Sequence, residues 1–342
     1  MAPASVKSAV EQRLDTGILN CWHPVLPSWA VQDTPVGITR LSRNIALWRD
    51  TEGRLHALED RCPHRGARLS MGWNLGDRVA CWYHGVEVRG DGSVAEVPAS
   101  PNCPMKSRAR VLSYPVREVA GAIFLYFSDG RSDDVPELVV PEELTDDEAY
   151  DRFLCFAHWK SSYRYAIDNV MDPMHGSYLH AVSHSMAYGE KSAEMAVRPT
   201  PTGFIFEKTN QMGVNFDWVE FGDTGSLWMR LTIPYAKRFG PGGPFGIIGF
   251  ATPVDEKNCV VFFWRTRKVA GWKRNVWKFL YRTRLEELHW NVLEQDRMVL
   301  EDMAPEPREH EFLYQHDVGL VRVRRLLEAK AREQVEAEAA AE

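Results

Sequence analysis

The pairs Cys62-Pro63-His64 and Cys81-Trp82-Tyr83-His84 constrain this chain more than any other feature. Sixteen residues separate His64 from Cys81, so each of two short loops contributes one thiolate and one imidazole. Two Cys with two His form the ligand set of a [2Fe–2S] cluster in which imidazoles replace thiolates on one iron. Neutral imidazole nitrogens raise the reduction potential above that of an all-Cys cluster, so such a centre passes electrons on to an oxidant. Zinc also takes Cys and His, but its sites pair ligands as Cys-x₂₋₄-Cys and His-x₃₋₅-His. The mixed Cys-x-His and Cys-x-x-His pairs fit that spacing poorly, and the cluster is the better reading.

The surrounding pattern suits a cluster held at hairpin tips. From about residue 21 to 130, short strands alternate with turns. Asp91-Gly92 is a two-residue hairpin signal between strands at 86–89 and 94–97. The acidic stretch 128–150 carries Pro136 and Pro141 and reads as a linker. Beyond it, 153–165 is a strand running into a helix. Strands follow at 197–206, 215–219, 226–233, 247–252 and 260–267, with helices over 273–303 and 319–342. The expected fold class is α+β: an all-β cluster domain with its N-terminal arm and linker over 1–150, then an antiparallel sheet with helices over 151–342.

The second domain carries a second chemical stretch, Asp168 to His180. His175 and His180 are five apart, about 140° around a straight helix, so they share a metal only if the helix ends or bends between them. Pro173 and Gly176 permit that. Two His and one carboxylate make the facial triad that binds mononuclear Fe(II) with open positions for dioxygen. The carboxylate is sought on the later helix. With Leu285 as zero, Leu288, Val292, Val299 and Met303 fall within about 60°, and Asp296 falls at about 20°, inside this apolar stripe. A carboxylate there needs a metal or a cation, so Asp296 is the third candidate ligand, with a salt bridge to a buried Arg as the alternative. Asp172, one turn before His175, is able to orient a ligand His, to reach a cluster ligand, or to cap a turn ahead of Pro173.

Composition removes several classes. A net charge of −6 gives no indication of a nucleic-acid partner. No apolar run is long enough to span a membrane. Residues 1–15 mix charges without an apolar signal core, so a cytoplasmic location is expected. Cys21, Cys103, Cys155 and Cys259 show no pairing pattern and are expected as free thiols. The Gly-rich stretch 240–249 fails as a phosphate-binding Gly-x-Gly-x-x-Gly, because position 245 is Phe, and reads as a loop near a pocket mouth.

Taken jointly, these motifs resemble the terminal oxygenase α-subunit of the Rieske non-haem iron oxygenases. The family pattern matches at Cys62, His64, Cys81 and His84, then at Asn169, Asp172, His175 and His180, and its late Gln-Asp matches Gln295-Asp296. The chain is similar to the compact phthalate, vanillate and dicamba branch, whose members are α-only trimers. The resemblance implies a Rieske [2Fe–2S] cluster on the first four residues and mononuclear Fe(II) on His175, His180 and Asp296. It also implies electrons from NAD(P)H through a separate reductase or ferredoxin, and a homotrimer. In the trimer one subunit's cluster serves a neighbour's iron, bridged by the residue matching Asp172. O₂ would then be used for mono- or dihydroxylation, or for oxidative O- or N-demethylation.

The second domain is rich in Phe and Trp, most of them expected in a sheet core and some above the iron. An aromatic substrate is expected. Arg198, Lys208, Arg230, Arg238, Arg265 and Arg267 lie in or beside the strands, and any one is able to clamp a substrate carboxylate. Two alternatives remain. One is N-demethylation of a small quaternary amine in an aromatic cage. The other is a Rieske electron carrier, which needs only the first domain.

Overall fold

The computed structural model describes residues 7–131, 134–183, 190–235, 243–304 and 307–340. They form two compact units, one spanning Leu19–Glu137 and one built from the chain on either side of it. Of the residues expected in a first domain over 1–150, the arm up to residue 18 and the linker from residue 138 group with the second unit instead. Helix α1 (Ala9–Thr16), capped by Ser8, puts Leu14 into the same core as Val323 and Leu327 of the C-terminal helix. Arg13 pairs with Glu338 at 2.6 Å, and Glu11 and Asp15 take the guanidinium of Arg164 at 2.6 and 2.9 Å. On the linker side, Thr224 and Ser226 donate hydroxyl hydrogen bonds to the carbonyl of Val139 at 2.8 and 2.9 Å.

The first unit holds three antiparallel sheets. β1 (Cys21–Pro27) pairs with β10 (Ala122–Phe127), which pairs with β9 (Val116–Val119). β2 (Val36–Arg40), β3 (Arg43–Arg49) and β4 (Leu55–Glu59) form the second sheet. β5 (Trp73–Asn74), β6 (Arg78–Ala80), β7 (Glu87–Arg89) and β8 (Val94–Glu96) form the third, with the short helix α2 (Met105–Arg108) beside it. The expected Asp91-Gly92 hairpin joins β7 to β8. Trp48, Leu58, Leu69, Val79 and Val88 make the core, and Cys62 and Cys81 belong to it.

The second unit is one seven-stranded antiparallel sheet with helices. Its order is β11 (Tyr150–Trp159), β17 (Cys259–Lys268), β16 (Phe245–Pro253), β15 (Leu227–Ile233), β14 (Trp218–Asp223), β13 (Gly203–Lys208) and β12 (Met195–Thr200). Side chains alternate across a strand, so one face of this sheet gathers Cys155, Phe204, Phe221, Met229 and Phe263 against Trp277, Tyr281 and Leu293. Of the loop expected over 240–249, residues 240–242 lie outside the described residues. Phe245 onward is β16 instead, because buried Phe245 and part-buried Ile247 pack into this core.

Helix α3 (Tyr163–Val170) begins at Ser162, whose hydroxyl accepts the Arg164 N–H, and carries buried Ala166, Ile167 and Val170. Its Asp168 holds Arg308 of α6 (Pro307–His310) at 2.6 Å and Arg324 of α7 (Val318–Ala339) at 2.8 Å. The helix expected over 273–303 is α4 (Trp272–Leu280), a π-helical turn (Tyr281–Leu285) and α5 (Glu286–Glu301). On α5 the buried residues are His289, Leu293, Asp296 and Leu300, whereas Leu288 and Val299, and Met303 just beyond the helix, are exposed. The buried arc is turned by roughly 60° from the expected stripe. Asp296 lies within both arcs.

Candidate metal centres

In the first unit the two cluster loops have the same construction. The N–H of Cys62 donates to the carbonyl of Ala67 at 2.7 Å, and that of Cys81 to Val86 at 2.8 Å. The N–H of Gly66 returns to the carbonyl of Cys62 at 2.9 Å, and that of Gly85 to Cys81 at 2.8 Å. Gly66 and Gly85 sit at φ +76° and +70°, where a side chain is strained. The first loop is further tied by Asp60, whose carboxylate accepts the Ser70 N–H at 2.8 Å and its hydroxyl at 2.6 Å.

These loops bury both sulfurs and leave both imidazoles exposed. Cys62 and Cys81 are buried, while His64 and His84 are exposed with ring centroids 4.8 Å apart. Burial pushes the Cys62 thiol up to about 11, opposed by the N–H groups of His64 and Arg65 and reinforced by the Cys81 sulfur beside it. Two sulfurs packed side by side, with main-chain N–H groups aimed at one of them, suit thiolates sharing a cationic centre rather than free thiols. The donor set fits a [2Fe–2S] cluster. Cys21, Cys103, Cys155 and Cys259 form no disulfide.

In the second unit the break between the two His is a run of tight turns. After α3 ends, the chain makes a 3₁₀ turn at His175–Ser177. This brings His175, His180 and Asp296 together, with one ligand atom from each lying within 4.8 Å of the others. His180 Nε2 is 3.1 Å and His175 Nε2 3.6 Å from Asp296 Oδ1. Among the described residues no Arg pairs with Asp296, so the alternative of a buried salt bridge is not what the structure shows.

The tautomers are set from behind. His175 Nδ1 lies 2.5 Å from the carbonyl of Asp172, and His180 Nδ1 lies 2.8 Å from Oε1 of Gln295. Both acceptors lack a proton, so each Nδ1 carries the hydrogen and each Nε2 keeps its lone pair. Burial alone depresses the His180 pKa, but the Asp296 carboxylate outweighs it and holds the imidazole above its ordinary value. Asp296 Oδ1 has no hydrogen-bond partner with acceptable geometry although Asp296 is buried. Two lone pairs and an orphaned carboxylate oxygen converging on one point fit a divalent metal.

Asp172 differs from the orienting role considered above. Its main-chain carbonyl, not its carboxylate, holds His175. The carboxylate accepts the Met174 N–H at 2.7 Å, as a turn cap does, and Oδ2 stands 3.9 Å from His175 Nδ1. The side chain is one-third exposed.

Beside the triad is a cavity of about 50 Å³ lined by Phe216, Leu231, Ile233, Ile247, Phe263 and Arg265, among others. It is smaller than an aromatic ring needs, so entry of one requires side chains to move. In the sequence Gln295 is only part of a motif and Arg265 one of six cations, of which Arg238 lies outside the described residues. The anchor role of the first and the burial of the second depend on tertiary contacts.

Two family profiles cover most of the chain. The Rieske [2Fe–2S] domain matches residues 21–115, and the vanillate O-demethylase oxygenase C-terminal domain matches 159–333. The toluene-4-sulfonate monooxygenase system iron-sulfur subunit of Comamonas testosteroni is 31% identical over 48% of this chain and 46% of its own length. The vanillate O-demethylase oxygenase subunit of a Pseudomonas strain is 33% identical over 48% and 45%. The oxygenase component of dicamba O-demethylase from Stenotrophomonas maltophilia is 32% identical over 48% of each. The chain thus spans about half the length of the curated relatives it matches. Two solved structures share the fold over nearly the whole chain. Dicamba monooxygenase bound to dicamba has a TM-score of 0.72 at 23% identity, covering 93% of this chain and 98% of that one. The reduced oxygenase–ferredoxin complex of carbazole 1,9a-dioxygenase has a TM-score of 0.73 at 20% identity, covering 93% of each chain. No helix among the described residues is long and apolar enough to cross a membrane. With a Rieske domain followed by an oxygenase C-terminal domain over half its length, the chain belongs to the Rieske non-haem iron oxygenases, among their terminal oxygenase α-subunits.

Proposed function

We propose that this chain is the terminal oxygenase component of a system that draws electrons from a separate NAD(P)H-dependent reductase or ferredoxin. Its substrate is aromatic, and O₂ is used to hydroxylate it, once or twice, or to remove an O-methyl group. The observation that carries the reading is the presentation of His175 Nε2 and His180 Nε2 to Asp296 Oδ1, with each Nδ1 held by a proton-free acceptor. Cys62, His64, Cys81 and His84 would hold the cluster, and His175, His180 and Asp296 the Fe(II). When bound, the cluster supplies one-electron transfer and the iron supplies dioxygen activation.

The protein's own groups have defined tasks. Gln295 and the Asp172 carbonyl hold each Nδ1 and aim each Nε2 toward Asp296. Leu231, Ile247 and Phe263 give the ring an apolar wall and exclude water. The partly exposed Asp172 carboxylate is available to hydrogen-bond a cluster imidazole of a neighbouring subunit, which gives a homotrimer its purpose. Relatives carry the names of vanillate, dicamba and toluene-4-sulfonate, which supports an aromatic substrate.

A quaternary-amine demethylase is disfavoured by Arg265, a fixed positive charge in the cavity lining. A bare electron carrier leaves the second triad without a task. The test is NADH-dependent O₂ uptake with an added reductase and ferredoxin, offering methoxybenzoates and betaines in parallel and measuring formaldehyde and hydroxylated product. Coupled turnover of an aromatic substrate is expected. Turnover of betaines alone would replace this reading with the amine demethylase.

A further inference from the structure

A row of cross-strand neighbours runs across the face of the sheet that carries the second unit's core. Phe206 pairs with Val219, Val219 with Leu231, Leu231 with Ile247, Ile247 with Arg265, and Arg265 with Phe153. Five of the six are apolar. The sixth, Arg265, is only 2% exposed. It lines the same cavity as His175, His180 and Asp296.

A guanidinium stays charged at any pH a protein survives, and burying one unpaired is costly. Buried Arg is therefore expected to have a carboxylate partner. Arg265 has none among the described residues. Its Nη2 reaches the carbonyl of His289 at a long 3.4 Å, and its Nη1 has no hydrogen-bond acceptor. The neighbouring ring of Phe263, 5.8 Å from the guanidinium carbon, offers only a weak cation–π contact. Asp296, the carboxylate in the same cavity, pairs with the two His instead.

We infer that Arg265 selects the substrate by taking a carboxylate borne on its ring. The planar fork matches a carboxylate in two parallel hydrogen bonds, and the low-dielectric wall strengthens them. A neutral or cationic ring leaves the guanidinium unpaired and is rejected for that reason. With the carboxylate on Arg265, the ring lies against Ile247, Leu231 and Phe263. Arg265 is thus a specificity residue and takes no part in handling oxygen. The inference deepens the oxygenase reading and rests on it for the fate of the bound acid, but charge selection is read without turnover.

The test is equilibrium binding of benzoate and of its neutral isostere benzamide to the iron-loaded protein, by titration calorimetry. Benzoate is expected to bind about 10- to 100-fold more tightly, the factor that a charge-assisted hydrogen-bonded pair gives. Arg265→Gln is expected to bring the two within about twofold, and Arg265→Lys to retain part of the preference. Equal binding of the two probes to the native protein, or undiminished selectivity in Arg265→Gln, overturns the inference. Thermal melting of Arg265→Met guards against misfolding. A charge kept for a ligand gives an unchanged or higher Tm when replaced by an apolar chain, whereas a fall in Tm marks a structural Arg and overturns the inference. Benzoate selectivity without O₂ uptake on any arene acid would leave Arg265 its role and sink the oxygenase reading. Turnover of neutral arenes equal in the native protein and Arg265→Gln would do the reverse.

Discussion

His180 presents Nε2 to Asp296 at 3.1 Å while its Nδ1 lies 2.8 Å from Gln295, the residue next to Asp296 on α5. One turn of one helix therefore supplies both a candidate ligand and the group that aims another. Gln295→Leu removes the acceptor and leaves both ligands in place. Iron affinity is expected to fall about 10- to 100-fold, as it does when outer hydrogen-bond partners of a metal site are lost. Iron retained against a graded chelator series measures this, with acid-labile sulfide unchanged. Undiminished iron retention would show that the Gln295 contact does not orient the ring.

The cluster loops make a separate prediction. His64 and His84 are the exposed members of the set, and Cys62 and Cys81 the buried ones. In the doubly substituted His64→Cys, His84→Cys protein, any cluster that assembles has four thiolates. Its midpoint potential is expected to drop by a few hundred millivolts, toward the roughly −400 mV of plant-type ferredoxins. Redox-titrated electron paramagnetic resonance reads the change. An unaltered potential and spectrum would remove His64 and His84 from the ligand set.

Much of this was legible in the sequence because metal ligands are local in spacing. Cys62, His64, Cys81 and His84 sit on two short loops with the same hydrogen-bond closure, and a five-residue interval with Gly176 between His175 and His180 foretold a break in the helix. A helical wheel places Asp296 in its apolar stripe, but that stripe is turned by roughly 60° from the buried arc, because apolar residues on a helix are not all buried and periodicity alone does not tell the exposed ones apart. Leu288, Val299 and Met303, expected inside, are exposed. The docking of α1 on the second unit depends on contacts such as Arg13 with Glu338, some three hundred residues apart, which no local pattern records. Arg265 could not be told from five other basic residues, since only the cross-strand register shows which face of β17 it occupies.

Lys208 predicts a pH effect. It is wholly buried at the end of β13, and its Nζ has no hydrogen-bond partner among the described residues. Burial holds its pKa below the ordinary 10.5, and the Asp217 and Asp172 carboxylates offset this only in part. Between the lowered folded value and 10.5 the unfolded chain binds more protons, so stability rises with pH through that window. The penalty is complete below the folded pKa. Lys208→Met is expected to melt about 2–4 °C higher at neutral pH, with the gap closing as the pH approaches 10.5. Calorimetric melting of both proteins across that range checks it. A variant that melts lower at neutral pH would mean that the ammonium is stabilised by those carboxylates.

The central claim is that one chain carries a cluster and a separate mononuclear site held by Asp296. Iron and acid-labile sulfide per chain, measured for the native protein and Asp296→Ala together, test it most directly. The account predicts about three irons and two sulfides in the native protein, and about two irons with sulfide unchanged in the variant. Two irons and two sulfides in both would leave an electron carrier and contradict the account.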